Sequence, residues 1–292
     1  MKPDTEQLLL KLKALADPVR LRLVALCLRG ECSVSELTDV LAQSQPRVSQ
    51  HLKTLCDTGL LQRFRDGHFV YYRAPVRGKD GSILRRLLAL FPDDEPDFAR
   101  DFERLRALRG ADEVPDSSDE DRPLHHALVE LTVSTPLGDL IDIGCGQGRL
   151  LKLLASRAQR AVGVDIDADA RRFARAQVLL AGLPNCTLRK GDMYSLSFAD
   201  DEFDTVILDD VLSTAEEPFD ALLEARRLMR PGGRLLLLSS IQENNSKELQ
   251  AHFAAWCRAA NLRLTNPKPI PVDNPRWLLA VATLAEETSA VA

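Results

Sequence analysis

No stretch of this 292-residue chain approaches the ~20 consecutive apolar residues that cross a bilayer. The opening Met1-Lys-Pro-Asp-Thr-Glu6 carries two acids and no signal-peptide core. The six cysteines, at 27, 32, 56, 145, 186 and 257, form no C-x-x-C pair and no framework spacing. These absences argue against a membrane span and a disulfide scaffold, and lead to the expectation of a cytoplasmic protein. What remains is ordinary for a soluble globular chain: 45% hydrophobic and 28% charged residues, and a length suited to about two domains. The net charge of −5 is unevenly spread. Residues 1–80 hold 13 basic and 9 acidic side chains, giving +4, and the remainder holds 25 and 34, giving −9. A basic front on an acidic body hints at nucleic-acid contact.

The stretch Leu140-Ile-Asp-Ile-Gly-Cys-Gly-Gln-Gly148 organises the second half. A short apolar run ends in an acid, glycines follow at 144, 146 and 148, and Arg149–Ala155 continue with a helical pattern. Strand, glycine turn and helix bring backbone N–H groups up to a ligand. A dinucleotide turn has the form G-x-G-x-x-G and faces a pyrophosphate. Here the form is D-x-G-x-G-x-G, and Asp142 would repel a pyrophosphate. It suits a ligand with an ammonium group, such as the amino-acid end of S-adenosylmethionine. Asp165 ends the next apolar run, where an acid can accept both hydroxyls of a ribose.

In the first 91 residues, a Leu-rich helix over Gln7–Ala16 is followed by Asp17-Pro18, which cap and open another helix that stops at Gly30. Ser33-Val-Ser-Glu36 reads as a capping box for a short helix to Ala42. A further helix runs to about Thr58, with Gly59 as its C-cap. On it, Val48, Leu52 and Leu55 face inward, leaving Gln45, Arg47, Ser49, Gln50, His51 and Lys53 to read bases and hold phosphate. Two helices joined by a short turn, the second polar-faced, match a helix-turn-helix. Leu60–Arg65 and His68–Arg73 alternate around Asp66-Gly67, predicting a hairpin, and Arg63, Arg65, His68 and Arg73 are candidates for phosphate contact from it.

Leu15-Ala-Asp-Pro-Val-Arg-Leu-Arg-Leu23, Ser44-Gln-Pro-Arg-Val-Ser-Gln-His-Leu-Lys53 and Gly67-His-Phe-Val-Tyr-Tyr-Arg73 resemble the ArsR family of winged-helix repressors. That resemblance covers about 90 residues and implies a homodimer on palindromic double-stranded operator DNA. It also implies that the first helix and the helix expected at Ser82–Phe91 pair across the dimer. The arsenic-type branch binds metal at a Cys-x-Cys, where this chain has Ser33-Val-Ser35, and the His/Asp site of the zinc branch has no counterpart in Ser82–Phe91. Serine is a poor ligand for soft metals, so no metal is expected.

Pro92–Arg122 carries twelve acids and five arginines and reads as an acidic linker, with Phe98–Leu108 a possible helix. The expected division is a DNA-binding domain over 1–91, the linker over 92–122, and a ligand domain over 123–292. Beyond a helix at Leu124–Leu131, strands and helices alternate, as in a doubly wound, mostly parallel sheet. The strands are expected at Leu140–Ile143, Ala161–Asp165, Cys186–Arg189, Phe203–Leu208, Arg234–Leu238, Leu262–Leu264 and Trp277–Val281. The overall class is therefore α/β, with an N-terminal winged helix-turn-helix that is α+β and mostly helical.

Ile141–Gly148, Gly163-Val-Asp165, Gly191-Asp-Met193, Phe203-Asp204 and Leu228-Met-Arg-Pro-Gly-Gly233 resemble the class I S-adenosylmethionine-dependent methyltransferases, with their Rossmann-like fold. The resemblance implies that Asp142, Gly144, Cys145, Gly146 and Gly148 hold the methionine part of an adenosyl-sulfur ligand. Asp165 would take the ribose, Asp192 and Met193 the adenine with Ile166 beside them, and Asp209 would lie near the sulfur. No residue is assigned a catalytic role: Asp209-Asp-Val-Leu-Ser-Thr-Ala215 shows no Asn-Pro-Pro signature and no His pair, and Asp210 is either a base or a solvated carboxylate. Some bacterial ArsR-type proteins with this fusion resemble homocysteine-cycle regulators. The first expectation is therefore a DNA-binding regulator that senses S-adenosylmethionine or, preferentially, S-adenosylhomocysteine. The alternative is a small-molecule methyltransferase carrying a DNA-binding domain.

Overall fold

Capping chemistry sets many of the element boundaries in the computed structural model, which describes residues 5–75, 78–90, 95–109, 122–241, 245–265 and 267–285. Helix α1 spans Thr5–Leu15 and α2 spans Pro18–Arg29. The Asp17 carboxylate accepts the Arg20 N–H at 2.9 Å, and Pro18 takes the first turn, where no N–H is needed. Strand β1 is Cys32–Ser33, α3 is Val34–Leu41 and α4 is Gln45–Asp57. The capping box forms as the sequence predicts: Glu36 N–H donates to Ser33 Oγ, and Ser33 N–H donates to the Glu36 carboxylate at 2.7 Å. Helix α4 ends in a Schellman arrangement, with Gly59 at φ +70° and bonds from Gly59 N–H to Cys56 O and from Leu60 N–H to Leu55 O.

Strands β2 (Gln62–Asp66) and β3 (Phe69–Arg73) form the hairpin, with Asp66 opposite Phe69. The turn centre is therefore Gly67-His68, one residue later than the Asp66-Gly67 expected. Positive φ is needed at Gly67 alone, which leaves Asp66 in the ladder. Strand β1 adds to β3, a pairing too short to be announced by any alternation in the sequence. Helix α5 spans Gly78–Leu88, earlier than expected; Phe91 lies outside the described residues. Helix α6 (Pro96–Leu108) occupies much of the stretch read as linker, and buries Leu105 and Asp101 completely. The acidic runs Asp93-Asp94 and Asp116–Asp121 lie outside the described residues.

In the second half, α7 is Arg122–Ser134, β4 Asp139–Ile143, α8 Arg149–Leu154 with a 3-10 turn at Ala155–Arg157, β5 Arg160–Asp165, α9 Ala168–Leu180, β6 Cys186–Lys190 and β7 Phe203–Asp209. Then come α10 Pro218–Leu228, β8 Met229–Ser240, α11 Ser246–Ala259, β9 Leu262–Leu264, β10 Lys268–Ile270 and β11 Trp277–Leu284. Strand β10, at the sheet edge, is one that the sequence does not announce: three residues with a central proline carry no legible period.

The strand order is β10-β11-β8-β7-β4-β5-β6, with β9 on β11. Strands β4, β5, β7 and β8 run parallel and the C-terminal strands antiparallel. The parallel strands are buried almost throughout, consistent with cover on both faces. From β4 the chain moves outward to β5 and β6, then returns to the other side of β4 as β7. That reversal makes the carboxyl ends of β4 and its neighbours the place where such sheets take ligands.

Two compact units emerge: residues 1–114 with 172–187, and residues 115–171 with 188–292. The first has its core on α2, α3 and α4, where Leu23, Leu37, Leu52 and Leu55 are all fully buried, each side chain contributing about 1.5–3 kcal/mol. The second is built on the sheet, around Ile141, Val164, Val206, Phe203 and Leu237.

Candidate functional sites

The glycine turn leaves β4 and enters α8. Gly144, Gly146 and Gly148 have φ of +72°, +51° and +81°, the left-handed region where a side chain is strained. The N–H groups of Gly144 and Cys145 both donate to Val164 O, at 2.7 and 2.9 Å, pinning the turn to β5. Across from it, a Cβ on Gly163 would lie 2.4 Å from Leu151 Cδ1 and 2.9 Å from Cys145 Sγ, so the turn packs directly on a bare backbone.

Asp142, in β4 beneath the turn, is 1% exposed. Among the described residues its Oδ1 has no hydrogen-bond partner. Burial pushes its carboxyl well above the ordinary 3.8; the charges of Asp209 and Asp165 act in the same direction and Arg149 opposes them. Arg149 Nη2 lies 3.0 and 2.9 Å from the two carboxylate oxygens of Asp209. Asp165 Oδ2 accepts Gly146 N–H at 2.7 Å, and its Oδ1 accepts Asp167 N–H at 2.8 Å.

A cleft of about 470 Å³ lies over these strand ends. Of the predicted set, Gly144, Asp165, Ile166, Asp192, Met193 and Asp209 line it. Asp142, Cys145, Gly146 and Gly148 do not line it: the last three belong to the turn, and Asp142 is buried in β4. The sequence reading missed Arg149, Tyr194, Thr214 and Glu216. The first pairs with Asp209, and the other three line the cleft with Asp210. Asp210 is more than a solvated carboxylate. It has φ +56°, and its Oδ1 accepts Ser240 N–H at 2.6 Å and the hydroxyls of Ser240 and Ser239 at 2.9 and 3.2 Å. The adjacent acids Asp209 and Asp210 were the available signal for that half of the cleft. Among the described residues no group of three or more His, Cys, Asp or Glu could hold a metal ion.

The candidate nucleic-acid face belongs to the first unit. On α4, Gln45, Arg47, Gln50 and Lys53 are exposed, while Ser49 and His51 are half-buried. His51 Nδ1 lies 3.9 Å from the Asp17 cap. On the hairpin, Arg63, Arg65 and His68 are exposed, His68 in the turn itself. Arg73 is more committed: it donates to Gln62 Oε1 at 3.1 Å, faces Glu31 at 3.7 Å and lies over the Phe64 ring. No helix among the described residues is long and apolar enough to cross a membrane.

Residues 17–63 match the family model for the bacterial regulatory protein, arsR family, and residues 141–237 match that for a methyltransferase domain. The chain is 35% identical over 82 residues to the arsenical resistance operon repressor of Bacillus subtilis, covering 28% of this chain and 78% of that one. It is 33% identical over 132 residues to nocamycin O-methyltransferase of Saccharothrix syringae, covering 44% and 46%. A solved S-adenosylmethionine-dependent methyltransferase from Aquifex aeolicus aligns with a TM-score of 0.49 at 15% identity, covering 61% of this chain and 97% of that one. The chain spans 35% to 62% of the length of several curated relatives that it matches.

Proposed function

Because the chain belongs to the arsR family of bacterial regulatory proteins and carries a methyltransferase domain, we propose that it is a transcriptional regulator whose methyltransferase domain binds S-adenosylmethionine or S-adenosylhomocysteine as an effector. One observation carries the reading: a fully buried carboxylate with an unpartnered oxygen, Asp142, beneath a left-handed glycine turn at the edge of an acidic cleft. A buried ionised oxygen without a partner is unfavourable until a cation reaches it. The ammonium of an amino-acid tail supplies that cation, whereas a phosphate in the cleft would meet Asp165, Asp192, Asp209 and Asp210 as like charges.

The residues present fit the group. On this reading Asp142 and the turn hold the methionine part, Asp165 the ribose, and Asp192, Met193 and the exposed Ile166 the adenine. Asp209 lies near the sulfur, where Arg149 competes for it. S-adenosylmethionine, when bound, supplies an already activated methyl group on a sulfonium. On the DNA side, Gln45, Arg47, Ser49, Gln50, His51 and Lys53 would enter the major groove, and Arg63, Arg65 and His68 would track phosphate from the hairpin. The exposed Leu9, Leu10 and Leu12 of α1 supply an apolar surface for a homodimer.

The test is direct. A binding duplex is selected from a random pool, and its affinity is measured by anisotropy with each adenosyl ligand present and absent. A change in affinity with at least one ligand is expected, since an effector acts through its differential affinity for the DNA-competent state. Equal affinities at saturating concentrations of both refute the proposal.

A second reading, an active small-molecule methyltransferase, is favoured by Tyr194, Asp210, Thr214 and Glu216, which extend the cleft wall beyond the residues assigned to the adenosyl ligand. It predicts transfer of a labelled methyl group to some metabolite, lost on Asp142→Ala.

A further inference from the structure

A second cavity, of about 730 Å³, lies within the second unit between helix α7 and strands β10 and β11. It shares no lining residue with the cleft over the strand ends, and its size is that of a small-molecule site. In the β8–β11 ladder Arg234 stands opposite Thr283, Leu236 opposite Val281 and Leu238 opposite Leu279. Side chains two apart on a strand share a face, so Arg234, Val281 and Leu279 point to one side of the sheet, where Leu131 of α7 joins them in the cavity wall. Ile270 adds to this apolar surface. Pro267, Pro269 and Pro271 contribute ring contact, carry no N–H and have a fixed φ, so that part of the wall is apolar and already shaped before anything binds.

Arg234 is the exception in this wall. It is half-buried, and its nitrogens donate only to uncharged oxygens. Nε reaches Thr205 Oγ1 at 3.4 Å, Nη1 reaches Leu131 O at 3.3 Å, and Nη2 reaches Thr135 O at 2.8 Å and Pro136 O at 3.4 Å. Among the described residues it has no carboxylate partner, and one N–H of Nη1 is left over. The carbonyls at the end of α7 orient the guanidinium and offer it only partial charges. Arg230, earlier in the same strand, shows the contrast. It lies 2.7 Å from Asp204 and 3.2 Å from Asp139, and its bond to Asp204, with help from Asp139, holds its guanidinium above the ordinary arginine value. Burial holds that of Arg234 below it. A half-buried cation without a counter-ion is unfavourable, and an anion that reaches it removes the penalty. Of the other charged groups in the lining, Lys268 and Glu130 are both exposed, so Arg234 and Lys268 against Glu130 leave +1 with His126 neutral. A monoanion balances that charge. A phosphate dianion would leave one charge unmatched against apolar walls.

We propose that this cavity binds a small hydrophobic carboxylate, an aromatic or medium-chain aliphatic acid. Its apolar body lies against Leu131, Ile270, Leu279 and Val281, and its carboxylate faces the planar fork of Arg234. The site does not depend on what the cleft over the strand ends holds.

The test is a titration of the full chain, isotope-labelled at the methyl groups of Ile, Leu and Val, with phenylacetate and hexanoate, and with phenylethanol and hexanol as their uncharged counterparts. Both acids are expected to give saturable shifts at Leu131, Ile270, Leu279 and Val281 and none at Ile166 of the other cleft. Each acid should bind at least about tenfold more tightly than its alcohol, the value of a charge-assisted hydrogen bond. Arg234→Gln should reduce that preference below about twofold. Ala127→Trp, which fills the cavity from α7 and keeps Arg234, should abolish binding of acids and alcohols alike. Absence of saturable shifts at those four residues, shifts at Ile166 instead, or an alcohol bound as tightly as its acid overturns the proposal. So does displacement of the acid by an equal concentration of inorganic phosphate, or acid binding unchanged in a folded Ala127→Trp protein.

Discussion

Replacing Asp142 by asparagine separates what the buried carboxylate does for the fold from what it does for the ligand. In the ligand-free chain the carboxylate is 1% exposed, has an unpartnered Oδ1 and lies near Asp209 and Asp165, with only Arg149 acting in its favour. Because its folded value is raised above 3.8, the ionised carboxylate costs stability once the pH is above both values. The asparagine still has imperfectly paired polar atoms, a cost of about 1–3 kcal/mol. The asparagine carries no charge to desolvate, so the net expectation is a melting temperature above wild type near neutral pH.

The sign follows from linkage. Well below pH 3.8 both folded and unfolded chains hold the proton, and the wild type carries no ionisation penalty. As the pH rises, the unfolded aspartate ionises first, and the wild type falls behind until the raised folded value is passed. Ligand binding should change in the opposite direction. Loss of a charge-assisted contact worth about 1.5–3 kcal/mol weakens S-adenosylhomocysteine roughly tenfold or more. Both tryptophans, Trp256 and Trp277, lie in the second unit, so intrinsic fluorescence follows its melting selectively, and calorimetry supplies the affinities. An Asp142→Asn protein that melts below wild type at neutral pH and binds the ligand equally well would falsify the reasoning, since the carboxylate would then be a structural group satisfied within the chain.

Three further outcomes are expected. Gln50→Ala should change base preference on the selected duplex, whereas Lys53→Ala and Arg65→Ala should weaken all duplexes alike and lower the salt slope by about one each; equal loss on selected and random DNA for Gln50→Ala would refute the face assigned to α4. Arg22→Ala removes the guanidinium held at 2.5 and 2.6 Å from Asp101, a carboxylate with 0% exposure, so urea unfolding should show a loss of about 3–5 kcal/mol; a loss under about 1 kcal/mol would mean that α6 does not hold to α2 in solution. Burial opposes ionisation of Glu36, but Arg109 and the N–H and O–H of Ser33 outweigh it and hold the carboxyl below its ordinary 4.5; its stabilisation is therefore present above 4.5 and lost as acid carries the pH through the lowered folded value, a dependence that Glu36→Gln should flatten in acid melts.

Much of the architecture was legible because it rests on short-range rules. Ser33 and Glu36, Asp17 and Pro18, and Gly59 fix helix ends through bonds that span a few residues, and Val48, Leu52 and Leu55 mark a buried stripe by spacing alone. Strands β4, β5 and β7 announce themselves as apolar runs that end in acids. Legibility failed where contacts were distant or elements too brief. Strands β1 and β10 are two and three residues long, below any period. The hairpin centre moved by one residue because the turn needs positive φ only at Gly67. Arg149 reads as an ordinary helix residue until Asp209, sixty positions on, is beside it.

The sequence by itself determined the two kinds of unit, the order of their elements and the row of acids at the strand ends. Periodicity, capping and turn chemistry are local and survive without knowledge of the partners. Tertiary structure alone decided which charges meet. It buried Asp142 without a partner for Oδ1, locked α6 onto α2 through Arg22 and Asp101, and set Arg175 against Glu31 and Asp66, 144 and 109 residues away. An arginine on a helix is solvated by default. Only folding removes the water that would otherwise screen it, and so makes its partners matter.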